Sequence, residues 1–185
     1  MVKRLALFDL DGTLFDTSDV NYYAYKESLK YYGYDLDYDF YCKECNGRHY
    51  RYFMPLLKVE DSEVMEKIHH MKKQAYGKYL DKARVNEHLF SIIESMTERY
   101  NKVIVTTASR ENTEDILLYF NVLEQFDMLL TQEDIHYAKP NPEGFLMAMK
   151  RYHTKPEDTI IFEDSEVGIE AALLTKATVI AIRQF

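Results

Sequence analysis

Asp9 and Asp11 stand two residues apart in the run Asp9-Leu10-Asp11-Gly12-Thr13, directly behind the apolar segment Leu5 to Phe8. Paired carboxyl groups can divide labour, one acting ionised as a nucleophile and the other carrying a proton, provided their surroundings separate them. If Leu5 to Phe8 is a strand, the pair lies at its carboxyl end, where open α/β sheets bind their ligands. A string of the form Asp-x-Asp-Gly-Thr arises by chance in about one chain in 500 of this length at average residue frequencies. The competing reading is that these carboxylates merely cap a turn, the usual role of an isolated Asp-Gly. The preceding apolar run and the partners described below count against it.

The elements that would position this pair are legible as five apolar runs: Leu5 to Phe8, Lys102 to Thr106, Asp127 to Leu130, Thr159 to Phe162 and Thr178 to Ile182. They are continuous rather than alternating, the pattern of parallel strands covered on both faces. Between them the spacing predicts amphipathic helices. One spans Asn86 to Tyr100, with Leu89, Ile93, Met96 and Tyr100 on one face behind an Asn cap. Another begins at Pro142, which suits a first helical turn. Strand and helix alternate from about residue 84 onward, so the expected fold is α/β, a Rossmann-like doubly wound parallel sheet. The first strand is separated from the rest by a long insert without a convincing strand. Its apolar positions recur at helical spacing: Tyr22, Tyr25, Leu29 and Tyr32, ended by Gly33, and later Val64, Ile68, Met71, Ala75 and Tyr79. The expected organisation is therefore a core of residues 1–16 and 83–185 and a helical cap of residues 17–82. Half of the 16 tyrosines fall between Tyr22 and Tyr41. A substrate-stacking surface is one reading of that stripe, but at helical spacing core packing is the favoured one.

Composition narrows the partners. The 185 residues suffice for one domain with a core, or a core carrying a small inserted domain. With 46% hydrophobic and 29% charged residues the balance is that of a soluble globular protein. The net charge of −8 repels polyanions and argues against nucleic acid as the partner. Any phosphate site must then be built locally. Lys3, Arg4 and the short apolar run after them resemble a signal peptide only until Asp9 interrupts. No stretch approaches the roughly 18 apolar residues that span a bilayer. The expectation is a cytoplasmic protein without a membrane partner, a monomer or weak dimer. Cys42 and Cys45 form a lone Cys-Lys-Glu-Cys element, which is half of a zinc site or a redox pair on one reading. His49, His69 and His70 offer no matching ligand spacing, so two reduced thiols in a helical segment is the plainer reading.

Asp9 to Thr13 resembles the first motif of the haloacid dehalogenase superfamily in its phosphatase form. Three further segments follow in the family's order. Val103-Ile104-Val105-Thr106 resembles the second motif, a strand ending in a hydroxyl residue; Lys139-Pro140-Asn141-Pro142 resembles the third, a lysine leading into a helix; Ile160 to Ser165, with Glu163 and Asp164, resembles the fourth. The resemblance implies an aspartyl-phosphate formed on Asp9, with Asp11 as the acid and base. It implies Mg2+ held by Asp9, Asp164, Glu163 and the main-chain carbonyl of Asp11, and a small phosphorylated metabolite as substrate. Charge explains the set: a carboxylate meeting a phosphate dianion at 4 Å is repelled by about 8 kcal/mol at an effective dielectric near 20. Lys139 supplies a second cation beside the metal, and Thr106, with Thr107 as the neighbouring candidate, a hydroxyl for a phosphate oxygen. Halide-removing members lack an acid at position 11 and use no magnesium, so Asp11 argues against that chemistry.

By the same resemblance the insert is a cap closing over the site. Asp16 lies at its hinge, with a plain helix N-cap over Asp16 to Ser18 as the equal alternative. Arg48, in Asn46-Gly47-Arg48-His49, is the candidate for reading a second anionic group. Sugar-phosphate mutases of the family carry a histidine ten residues after the second aspartate, where this chain has Asn21. A phosphomutase is the nearest competing function, and a non-catalytic phosphate-sensing or interaction domain the next; no catalytic residue is missing to favour the latter.

Overall fold

The structure, a computed structural model, describes residues 3–96 and 98–183. In chain order, β1 (Arg4–Phe8) leads to a two-residue strand β2 (Phe15–Asp16). A helical stretch follows with α1 (Ser18–Tyr31), α2 (Tyr38–Phe40), α3 (Tyr50–Phe53) and α4 (Ser62–Ala75), and then a second short strand β3 (Arg84–Val85). From there helices and strands alternate: α5 (Glu87–Ser95), β4 (Tyr100–Val105), α6 (Arg110–Tyr119), β5 (Met128–Leu130), α7 (Glu143–Arg151), β6 (Thr159–Glu163), α8 (Glu166–Leu174) and β7 (Thr178–Ala181).

Five strands form one parallel sheet in the order β5-β4-β1-β6-β7. Leu7 of β1 lies opposite Val103 on one side and Ile161 on the other. The chain builds outward through β4 and β5, then returns to β1's other side with β6 and β7. The winding direction thus reverses beside β1, the place where sheets of this type bind ligands. One face carries Leu5, Leu7, Val103, Val105 and Ile161 against Phe145, Ala148 and Met149 of α7 and Ala171 and Ala172 of α8. On β1 and β6, Phe8 and Phe162 stack at 4.8 Å, and Phe126, Phe90, Phe15 and Phe120 extend this aromatic packing. Burial on both faces explains the unbroken apolar runs of β1, β4 and β6, whereas β7 at the edge of the sheet is largely exposed. Truncating Phe8 to Ala would cost about 3–5 kcal/mol.

Some boundaries differ from the sequence expectation. The helix from Asn86 ends at Ser95, and Tyr100 opens β4 instead of closing a helical face. Pairing with β1, Arg4 opposite Tyr100 and Leu5 opposite Asn101, is what claims those residues. Asn86 does cap α5, its side chain accepting from the Leu89 N–H at 3.1 Å. Pro142 sits at the cap position before α7 rather than in its first turn. The ribbon of β2 and β3, too short to show any period, pairs Phe15 with Val85 and Asp16 with Arg84. There the Asp16 carboxylate binds the Arg84 guanidinium. The N-cap of α1 is Thr17, inside the Asp16 to Ser18 stretch expected to cap a helix, although its side chain makes no capping bond.

The chain divides into two compact units, Met1–Asp16 with Arg84–Phe185, and Thr17–Ala83. The second has its own core of Tyr22, Tyr25, Leu29, Tyr41, Tyr50, Phe53, Met54 and Ile68. Asp61 caps α4 by accepting from the N–H groups of Glu63 and Val64. Tyr22, Tyr25 and Tyr41 of the tyrosine stripe are core, while Tyr23, Tyr31 and Tyr38 face solvent. Both cysteines are free: Cys42 is exposed, and Cys45 is buried on the π-helical turn Tyr41–Cys45. Burial pushes the Cys45 thiol up to about 11. Among the described residues no helix is long and apolar enough to cross a membrane.

Candidate active site

Asp9 follows β1 and is buried, its N–H donating to the Phe162 carbonyl of neighbouring β6 at 3.0 Å. The chain then turns sharply: Leu14 N donates to Leu10 O at 3.0 Å and Gly12 N to Phe15 O at 2.7 Å. Gly12 has φ +88°, a conformation open to glycine at little cost. Asp164 follows β6, and the Thr13 hydroxyl donates to its Oδ1 at 2.9 Å. The first and fourth motifs are thus joined directly through their side chains.

Lys139 arrives from the loop before α7 and joins the rest. Its Nζ donates to Asp9 Oδ1 at 2.5 Å and to Glu163 Oε2 at 2.8 Å, with the lysine side chain only 8% exposed. The ammonium also lies 5.2 Å from the centre of the Phe145 ring. The other Glu163 oxygen, Oε1, accepts the Ser165 hydroxyl at 2.7 Å and the Ser165 N–H at 3.3 Å. Gly168 leaves room for this carboxylate, since a Cβ there would fall 2.0 Å from Oε1.

The electrostatics are those of a site short of positive charge. Burial pushes the Asp9 carboxyl well above the usual carboxylate range; Lys139 opposes the shift, and Glu163 and Asp11 reinforce it. Burial works to lower Lys139, but Asp9 and Glu163 together outweigh it and hold the ammonium above its ordinary value. Asp164 is also raised by burial, against the Thr13 bond. One ammonium does not neutralise three carboxylates. Oxygens of Asp9, Glu163 and Asp164 lie within 4.8 Å of one another, a grouping able to hold a metal ion. The donors are hard oxygens, which suit Mg2+, Mn2+ or Ca2+ over soft-ligand metals. Glu163 was expected as a ligand, yet each of its oxygens already accepts a bond, one from Lys139 and one from Ser165.

Thr106 ends β4 and is buried; its Oγ1 accepts from the Ala108 N–H at 3.0 Å, so the hydroxyl proton points elsewhere. Thr107 is exposed. Asp11 is half-buried within the turn after Asp9. Arg48 belongs to the Thr17–Ala83 unit, where it pairs with Glu44 at 3.0 Å and lies over the Tyr52 ring. Sequence reasoning passed over Thr13 and Ser165. Ser165 is legible as a helix cap, accepting from Gly168 N at 3.1 Å, but nothing local announces its second bond to Glu163.

The profile of the haloacid dehalogenase-like hydrolase family matches residues 6–182. A phosphorylated carbohydrates phosphatase of Thermotoga maritima is 26% identical over 172 residues, covering 90% of this chain and 78% of the relative. The fructose-1-phosphate phosphatase YqaB of Escherichia coli is 24% identical over 175 residues, covering 93% of each. In fold, the chain is similar to CbbY from Rhodobacter sphaeroides, solved in complex with phosphate, with a TM-score of 0.83, 22% identity, and coverage of 100% of this chain and 88% of that one. The chain therefore belongs to the haloacid dehalogenase-like hydrolases.

Proposed function

We propose that the chain is a magnesium-dependent phosphatase of small phosphorylated metabolites that works through an aspartyl-phosphate on Asp9. The observation that carries this reading is the shared ammonium of Lys139, bonded to Asp9 and Glu163 beside Asp164 at the carboxyl ends of β1 and β6. A carboxylate so placed is ready to approach phosphorus, and Lys139 offsets part of the charge that approach brings together.

In this reading an oxygen of Asp9 forms a bond to phosphorus while the bond to the leaving oxygen breaks, and Asp11 gives that oxygen its proton. Thr106 donates its hydroxyl to a phosphoryl oxygen. Asp11, now ionised, takes a proton from a water molecule whose oxygen attacks the phosphorus of the aspartyl-phosphate, releasing phosphate and restoring Asp9. Asp9, Asp164 and the Asp11 main-chain carbonyl would hold Mg2+, with Glu163 beside them; the ion would supply charge to the phosphoryl oxygens. Lys139, held by Glu163, supplies the fixed part of that charge. The relatives named as acting on phosphorylated carbohydrates favour sugar phosphates as the first compounds to try. Asn21 supports hydrolysis over mutation, because an amide donating to Thr17 cannot relay a proton as histidine does.

Release of inorganic phosphate from a panel of sugar phosphates, with Mg2+ and then with a chelator, tests the reading. Expected is turnover of at least one sugar phosphate that stops on chelation and returns with Mg2+. Turnover by the Asp9→Asn protein at the parent rate would overturn it.

A further inference from the structure

Arg110 and Asp134 take no part in the chemistry above, yet both are tied to the loop that carries Thr106. After Val105 ends β4, the chain crosses Thr106, Thr107 and Ala108 before Ser109 caps α6. Beside it β5 ends at Leu130 and is followed by Thr131-Gln132-Glu133-Asp134. Four bonds lace these two loops together. Thr106 N donates to Leu130 O at 2.9 Å, Gln132 N to Ala108 O at 2.9 Å, Arg110 N to Glu133 Oε2 at 2.9 Å, and the Arg110 guanidinium to Asp134 Oδ2 at 2.6 Å. The same Asp134 oxygen accepts the Thr131 N–H at 2.8 Å and the Thr131 hydroxyl at 2.9 Å. Three donors on one oxygen fix that carboxylate, and through it the guanidinium one residue past the cap of α6.

The side chain of Arg110 is 42% exposed, and ion pairs that open to water contribute little to stability. Geometry is a different matter, since misplacing a contact by about 1 Å can cost roughly 100-fold in rate. A clasp too weak to matter for folding can therefore matter for where a hydroxyl points. We infer that the Arg110–Asp134 ion pair is a positioning device for the Thr106 hydroxyl, acting through the loop between β4 and α6 without touching substrate. This rests on the reading of Thr106 as a phosphoryl contact.

A double-mutant cycle on turnover of p-nitrophenyl phosphate with Mg2+ tests it. Arg110→Ala should lower kcat by about 5- to 20-fold, with the melting temperature within about 3 °C of the parent. Thr106→Val should lower it by about 10- to 100-fold, and adding Arg110→Ala to that protein should cost less than about twofold more. Asp134→Asn, which keeps the shape, should show the same dependence on Thr106, and it serves if Arg110→Ala does not fold. Losses that multiply in the double variant, or an unchanged kcat in the single ones, overturn the inference. If Thr106→Val alone is harmless, the hydroxyl role and the clasp fall together. The phosphatase reading is then judged separately by whether Asp9→Asn is inactive.

Discussion

Gly12 lies under the carboxylate of Asp164, so close that a methyl group at Gly12 would stand 2.1 Å from Oδ2. At Gly12 the turn of the first motif therefore meets the Asp164 carboxylate with bare backbone, beside the Thr13 hydroxyl that bonds to it. Gly12→Ala must displace Asp164 and also hold φ near +88°, at a cost of about 1–3 kcal/mol. The Mg2+ concentration needed for half-maximal activity should rise roughly 10- to 100-fold, as for other disturbed metal surroundings. A metal titration of activity checks this, and an unchanged requirement would remove Asp164 from the ion.

Asp9→Asn should eliminate turnover, a loss of at least about 10³-fold, while keeping the fold. Its effect on stability has a definite sign. A carboxyl held above its ordinary value by burial favours the folded state while protonated and loses that contribution as pH rises toward the folded value. In chelator the part of its contribution that depends on the bound proton is thus lost with rising pH, and Asn, which does not titrate, leaves Lys139 paired with Glu163. The variant should melt at or above the parent temperature, with the difference narrowing as pH falls toward the ordinary carboxylate range. Thermal denaturation at several pH values in chelator decides it; a large loss of stability would contradict the charge balance described.

Asp11→Asn separates the two proton transfers. With p-nitrophenyl phosphate, whose leaving group needs no proton, formation of the phosphoenzyme should survive and its hydrolysis should slow. With an alkyl phosphate both steps suffer, by about 10²- to 10⁴-fold in kcat/KM. A burst of nitrophenol followed by slow turnover is the expected trace. Equal rates on both substrates would strip Asp11 of its role.

The two cysteines should differ sharply in reactivity. Cys42 is exposed, whereas burial holds the Cys45 thiol up near 11, leaving on the order of 0.1% thiolate at pH 8. One equivalent of a thiol reagent should react quickly in the native protein, at Cys42, and the second only on unfolding. Mass spectrometry after brief labelling reads the site. Rapid loss of both thiols would undo the assignment of Cys45 to the core of its unit.

Much of the placement of the candidate site was legible because it follows strands. Asp9, Thr106 and Asp164 each stand just past the end of a strand, and a parallel sheet brings all such ends to one side. Lys139 was legible only by resemblance, since a lysine in a loop has no local mark of burial. Asp16 ends the first segment of its unit, and no local pattern announces its bond to Arg84, 68 positions away in the chain. Tyr100 was assigned to a helix because its spacing fits one, while the hydrogen bonds that make it a strand residue belong to β1.

Residue types and short-range spacing by themselves determined the parallel α/β core, the helical character of the insert and the acidic chemistry at the end of β1, because period and motif are properties of neighbouring residues. Only the tertiary structure decided that Glu163 turns one oxygen to Lys139 and the other to Ser165, that Gly12 must be bare beneath Asp164, and that Arg110 clasps Asp134. Those are contacts between segments far apart in the chain, and their partners are selected by how strands pair and helices pack, which no local pattern records.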